Sequence, residues 1–200
     1  MALPAEQLTK NEEILEAARA VFILHGIRKA TMDDIAKTIN ITRTALYYYY
    51  KNKQELLAAV LDQEILAYRG DLADAVGRTK PPVEKLVAVS SCYCDFHRTI
   101  MSFFKFDTGD YIDNYEMLKD FRESVLNTNE VAIMGVLSHD PDISSAARAG
   151  RAARLLGMSL RGVVFNSMDM DRGSLRRALA HMCRIFYFGL RGLPRDISKP

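Results

Sequence analysis

An all-α fold is predicted for this chain by two features of its residue pattern. Apolar residues recur three or four positions apart through nearly every segment, the period of one buried helix face. Capping signatures and glycines punctuate those segments, and neither β-type alternation of useful length nor an internal repeat interrupts them.

Residues 1–8 read as a frayed arm. Thr9 with Glu12 makes a capping box, and Ile14, Leu15, Ala18 and Phe22 form an apolar stripe up to His25, where Gly26 stops the helix. Thr31 is a second N-cap, with Asp34 placed three residues on to answer the cap and the helix dipole. Met32, Ile35, Ala36 and Ile39 then give the next helix one buried face. Asn40 turns the chain, because Asn is the commonest non-glycine residue in the left-handed region.

Ile41 plugs the corner and Thr42 caps a short helix from Arg43 to about Tyr50. Ala45, Leu46 and Tyr50 face inward, which leaves Arg43, Thr44, Tyr47, Tyr48 and Tyr49 outside. The tyrosine run could be a half-buried aromatic face, but four consecutive positions sweep round a helix, so some rings must be exposed. Exposed hydroxyls and a guanidinium suit base edges and phosphates in a major groove. Asn52 with Glu55 is a further capping box, so a helix starts at Lys53 with a lysine and free amides suited to a phosphate. Two short helices about a tight turn, the second polar outside, make a helix-turn-helix.

The run Leu46 to Lys53, following Ile35–Ala36 and Ile41–Thr42, resembles the DNA-binding signature of the TetR-type (tetracycline-repressor-like) regulators. The resemblance covers roughly residues 10–60. Asn40 stands where that family usually has Gly, and Tyr49 and Tyr50 where it usually has His and Phe. The resemblance implies phosphate contacts for Tyr47 and Lys53, a groove-facing set of Thr42, Arg43, Thr44 and Tyr48, and a structural role for Tyr50. With Thr31 and Tyr49 these are the candidate DNA-binding residues. It also implies a small-molecule effector bound in the remaining domain.

That remainder is predicted to be helical throughout. A connecting helix spans about residues 53–76, carrying Leu56, Leu57, Val60, Leu61, Ile65 and Leu66; the break GRTKPP (77–82) follows. A long helix covers about Val83 to Phe106, then a turn over 107–113, and a helix from about Tyr115 to Leu137 with a break near Asn127–Asn129. Two last helices cover roughly Ile143–Met168 and Gly173–Leu190. The expected domains are 1–52, which reads DNA, and 53–200, which binds ligand and dimerises.

Composition bounds these readings. Hydrophobic residues make up 48% of the 200, enough for one sizeable domain or for a small and a medium one. The formal net charge is only +2, and the first sixty residues hold eight Lys/Arg against seven Asp/Glu, so DNA affinity must come from local placement of charge. No basic segment followed by an apolar run opens the chain, and no stretch approaches eighteen uncharged apolar residues. Cys92, Cys94 and Cys183 do not make a disulfide framework. A cytoplasmic protein with reduced thiols and no membrane partner is expected.

No catalytic residues, metal or cofactor are expected. Cys92 and Cys94 point to nearly opposite sides of a helix, the histidines are scattered, and phosphate-cradling or nucleophile-elbow motifs are missing. The stripe Tyr93, Phe96, Ile100 and Phe103, with Tyr111, Tyr115 and Phe121 nearby, reads either as a core or as an apolar ligand pocket. In the second reading His97, Tyr93 and Asn114 supply the polar groups. The last two helices place Ala153, Gly157, Leu160 and Val164, then Leu179, Met182 and Phe186, at helical spacing. An intrachain core is the plainer alternative. A four-helix dimer interface is expected, because a lone helix-turn-helix head binds DNA weakly and two-fold symmetry lets it read a palindrome. Arg148, Arg151, Arg154 and Arg161 read as a solvated face. The function expected is a homodimeric repressor released by an apolar or amphipathic effector. The alternative is an all-α carrier or enzyme with a vestigial head.

Overall fold

A computed structural model describes residues 5–77, 80–105, 118–143, 145–167 and 169–192. Helices dominate and no strand occurs among the described residues, as the periodicity predicts. They are α1 (Ala5–His25), α2 (Met32–Thr38), α3 (Arg43–Tyr49), α4 (Lys53–Gly77), α5 (Pro82–Phe103), α6 (Lys119–Ser138), α7 (Ala146–Asn166) and α8 (Arg172–Gly192). The chain divides into two compact units, Met1–Ile65 with Thr99–Phe121 and Leu66–Arg98 with Arg122–Pro200. Helices α4 and α5 each contribute residues to both.

In the first unit Ile14, Ala18 and Phe22 of α1, Ile35 of α2, Leu46 of α3 and Leu56 of α4 are wholly buried. Each large side chain among them contributes about 1.5–3 kcal/mol of transfer free energy. The end of α5 closes this core. Phe22 and Phe103 lie with ring centroids 6.5 Å apart, and the Ile27 N–H donates to the Phe103 carbonyl at 2.7 Å. Gly26 makes that approach with φ 77°. A Cβ there would stand 2.9 Å from Lys105 Cγ, so both the dihedral and the space call for glycine.

Helix α1 begins at Ala5, four residues ahead of the cap expected at Thr9. Ala, Glu, Gln and Leu at 5–8 are all strong helix formers, and propensity overrides the capping signal. The box expected at Asn52 is also shifted. Asn52 Oδ1 accepts from the Glu55 N–H at 2.8 Å, but the Glu55 carboxylate accepts from the N–H of Lys51.

In the second unit Val89 and Cys94 of α5, Ile133 and Leu137 of α6, Leu160 of α7 and Leu179 of α8 are wholly buried. Helix α6 runs unbroken through Asn127–Asn129, where a break is expected. The Asn129 side chain is buried and accepts from the Tyr68 hydroxyl, so it does not compete for its own backbone. Tyr68 also stacks on Phe96, centroids 4.3 Å apart. Asp95 binds Arg172 at 2.8 Å and also Arg176, which ties α5 to the first turn of α8. Glu84 binds Arg184 at 3.1 Å. Tyr187 donates to buried Asp140; burial and that carboxylate push the phenol up to about 12.

Arg148 departs from the solvated face expected of it. It is buried and donates to the Leu190 carbonyl, satisfying an acceptor in the last turn of α8. Arg151, Arg154 and Arg161 are exposed as expected. The turn expected over 107–113 and the helix start at Tyr115 lie outside the described residues.

Candidate nucleic-acid interface

The head owes its geometry to two side-chain caps and one left-handed turn residue. Thr31 Oγ1 accepts from the Asp34 N–H at 3.1 Å while the Asp34 carboxylate accepts from the Thr31 N–H at 3.0 Å, a complete capping box on α2. The Thr31 hydroxyl, donating to Asp34 Oδ2 at 2.7 Å, and then the Thr31 N–H hold the Asp34 carboxyl below the usual carboxylate range. Asn40 takes the turn with φ 52°, the left-handed conformation expected of it. Thr42 Oγ1 then accepts from the Ala45 N–H at 3.1 Å and starts α3.

Only Leu46 of α3 is fully buried. Tyr50, just past its end, is buried too, and its hydroxyl donates to Asn11 Oδ1 at 2.7 Å, a partner on α1 that sequence pattern does not indicate. The outer side carries Thr42, Arg43, Thr44, Tyr47 and Tyr48, all exposed, with Tyr48 at 76%. Tyr49 is half-buried and meets Tyr48 edge-on, centroids 5.4 Å apart. Thr31 is exposed as well, at the start of α2.

Arg43 is held by two neighbours. Its Nη2 donates to Tyr47 Oη at 3.2 Å and its guanidinium lies 5.4 Å from the Tyr47 ring centroid. On the other side Nη1 lies 3.5 Å from Asp33 Oδ2. The Tyr47 hydroxyl and then Asp33 raise the guanidinium pKa above its ordinary value. The Asp33 ion pair depends on the angle between α2 and α3, which residue spacing does not give.

Lys53 is half-buried, and its ammonium donates to the carbonyls of Ile27, Arg28 and Ala30 at 2.7, 3.4 and 2.9 Å. Burial holds its pKa below the ordinary lysine value. Lys53 therefore pins the α1–α2 connection against the start of α4. Lys51, just ahead of it, is exposed and absent from the sequence-based set.

The candidate effector residues fall in two places. Tyr93, Phe96 and His97 are buried in the second unit, whereas Ile100 and Phe103 are buried in the first and Phe121, at its edge, is half-buried. Tyr111, Tyr115 and Asn114 lie outside the described residues. His97 is 8% exposed, with Tyr93 and Phe165 rings edge-on at 6.0 and 6.2 Å. Its Nδ1 is buried without a hydrogen-bond partner. Burial, with Arg98 adding to it, pushes its pKa down to about 4, so the imidazole is neutral at pH 7.

The candidate dimer residues are placed mainly inward. Ala153, Gly157, Leu160, Val164 and Leu179 are buried within the single chain, and Met182 and Phe186 are half-buried. That stripe is the intrachain core, the other reading of its spacing. The opposite side exposes Leu155 and Met158 on α7 and Ile185 and Phe188 on α8, each more than half accessible. A helical period marks an apolar stripe but gives no sign of which neighbour covers it.

A groove of about 420 Å³ lies between the second half of α4 and α6, bordered by Arg69, Leu72, Val76, Asn127, Val131 and Gly135 among others. None of the described effector residues expected from the sequence borders it. No cluster of three metal-ligating side chains occurs among the described residues, and no described helix is long and apolar enough to cross a membrane.

Two capped short helices about a tight turn, the second exposed on its outer side, have the helix-turn-helix geometry by which helical DNA-binding proteins present a recognition helix. Residues 14–60 match the model of the bacterial regulatory proteins of the tetR family. Over 52 residues it is 44% identical to the probable acrEF/envCD operon repressor of Escherichia coli (strain K12). That segment covers 26% of this chain and 24% of the relative, so the chain spans about a quarter of that relative's length in the match. The whole fold is shared more widely. A transcriptional regulator from Cytophaga hutchinsonii ATCC 33406 superposes with a TM-score of 0.74 at 21% identity, covering 91% of this chain and 97% of that one. The transcriptional regulator FadR from Bacillus subtilis, in complex with stearoyl-CoA, superposes at 0.58 with 17% identity, covering 86% and 96%.

Proposed function

We propose that this protein is a homodimeric repressor that reads a palindromic operator with α3 and is released by an apolar or amphipathic effector. The observation that carries the DNA-reading part is the outer side of α3. Arg43, Thr44, Tyr47 and Tyr48 stand exposed on a helix anchored by Leu46 alone, within a segment matching the tetR-family model. Arg43 exchanges Tyr47 and Asp33 for a guanine edge, Tyr47 meets a phosphate, and Lys53 positions the head from behind. In this reading residues 1–52 are the DNA-binding domain and 53–200 the effector and dimer domain.

Two observations support the rest. Leu155, Met158, Ile185 and Phe188 leave an apolar outer side on adjacent C-terminal helices, which a two-fold copy would cover. The shared fold of a regulator captured with stearoyl-CoA is consistent with an amphipathic effector. Helices α4 and α5 belong to both units, so an effector that favours one position of either helix shifts the head with it.

Fluorescence anisotropy with a duplex from the chain's own upstream region, against a scrambled duplex, tests the core of this. Arg43→Ala is expected to weaken specific binding about ten- to a hundredfold and to leave operator and scrambled affinities alike. Unchanged operator binding would remove Arg43 from base reading. For the dimer, Ile185→Glu is expected to give monomers by sedimentation at concentrations where the parent chain is dimeric, a loss of about 2–4 kcal/mol. A variant that still sediments as a dimer moves the interface off this surface.

A further inference from the structure

We propose that the groove between α4 and α6 is a binding site for an amphipathic carboxylate, with the acid held at Arg69 and the tail lying toward Val76 and Gly135. This rests on the reading of the second unit as the effector-binding one, and it gives that effector a chemical class and a place. The groove's volume of about 420 Å³ falls within the span of small-molecule sites, roughly 300–1,000 Å³. Its chemistry is sorted along its length. Arg69, Asn127 and Thr128 come from the earlier part of each helix segment, whereas Val76, Val131, Ala132 and Gly135 come from the later part. From Arg69 to Val76 the wall of α4 runs about 10 Å, enough for much of a medium-length alkyl chain. Val131 is over half exposed, so part of this apolar wall is uncovered.

The headgroup end selects charge. The Arg69 guanidinium is oriented by two hydroxyls, Nη2 donating to Ser124 Oγ at 3.2 Å and Nε to Thr128 Oγ1 at 3.4 Å. Both partners are neutral, and Arg69 is not among the cations paired with a carboxylate in the described residues. A guanidinium placed in this way presents its fork to an incoming carboxylate, which it binds through two parallel charge-assisted hydrogen bonds. Asn127 adds a neutral amide beside it. A ligand with the same tail and an uncharged head keeps only the apolar contacts.

Isothermal titration of the full-length chain with dodecanoate and with dodecanol, both below their aggregation concentrations, separates the two contributions. Dodecanoate is expected to bind once per chain and about tenfold or more tighter than dodecanol. Arg69→Gln is expected to abolish that preference, and Gly135→Leu to weaken both probes by filling the groove. No other group lies within 4 Å of a Cβ built at position 135, so that variant is expected to fold, which circular dichroism checks. Equal affinity for the two probes, a preference that survives Arg69→Gln, or no saturable binding overturns the site. DNA release is read separately: dodecanoate binding as described without operator release leaves the site standing and sinks the effector reading.

Discussion

The two units use their polar side chains over different distances. In the first, the helix starts are closed over three residues, Thr31 with Asp34, Thr42 with Ala45 and Asn52 with Glu55. A smaller set of longer bonds, Tyr50 to Asn11 and Lys53 to the Ile27 and Ala30 carbonyls, joins them. In the second the bonds reach across the chain, Tyr68 to Asn129, Tyr187 to Asp140, Asp95 to Arg172 and Glu84 to Arg184. A short-range cap stabilises one helix start and can be replaced by water when it is lost. A buried long-range bond leaves its partner stranded when one end is removed, so it couples distant elements. The head's helix starts are therefore largely local choices, while the second unit leans on two buried long-range pairs, Tyr68–Asn129 and Tyr187–Asp140, with exposed ion pairs beside them.

The sharpest way to strain that contrast is acid. His97 is neutral in the folded state down to about pH 4, while in the unfolded chain it takes a proton near its ordinary value of 6.5. Between those values the unfolded state binds the extra proton, so stability falls as pH is lowered from about 6.5 to 4, by roughly 3 kcal/mol in all. Denaturant melts of the parent chain and His97→Phe across this window should diverge, the variant losing less toward low pH. Parallel curves would mean that His97 is wetter than its burial indicates.

Next in size is Tyr68→Phe. It leaves the buried Asn129 acceptor without its donor, at a cost of about 1–3 kcal/mol. The loss should register in amide exchange on both α4 and α6. Protection that drops on α4 alone would show the pair to be less coupled than the geometry requires. The smallest effect is expected from Thr31→Ala, about 1 kcal/mol, with faster exchange confined to the first turn of α2. A comparable loss spread over α7 and α8 would erase the distinction between the units.

The same difference in range explains what could be read in one dimension. Thr31, Asn40, Thr42 and Gly26 announce their roles because each acts on backbone within four residues, and the structure gives them those roles. Tyr50 and Leu46 were legible as inward-facing for the same reason. Asn129 looked like a helix breaker because its partner, Tyr68, lies on another helix. Arg148 looked solvated because nothing in its neighbourhood of sequence shows that Leu190 will cover it. The stripe from Ala153 to Val164 was correctly found as apolar, but its period is silent on whether its own chain or a second one lies against it. The Arg69 groove left no sequence signal, since it depends on how far apart two helices sit.

The clasp of Arg43 by Tyr47 and Asp33 has a consequence for how such a head searches DNA. A reading side chain already occupied on both sides has little freedom left to lose, so meeting its base is an exchange of partners and not an ordering. Phosphates, which every stretch of duplex offers equally, compete against a carboxylate 3.5 Å away and a hydroxyl 3.2 Å away. In the proposed reading the clasp sets a threshold: phosphate contacts common to any sequence must compete with the two partners Arg43 already holds, and a base edge that matches its charge and its fork offers more than they do. Discrimination on this view begins before the protein touches DNA, in a grip that the free chain keeps on itself.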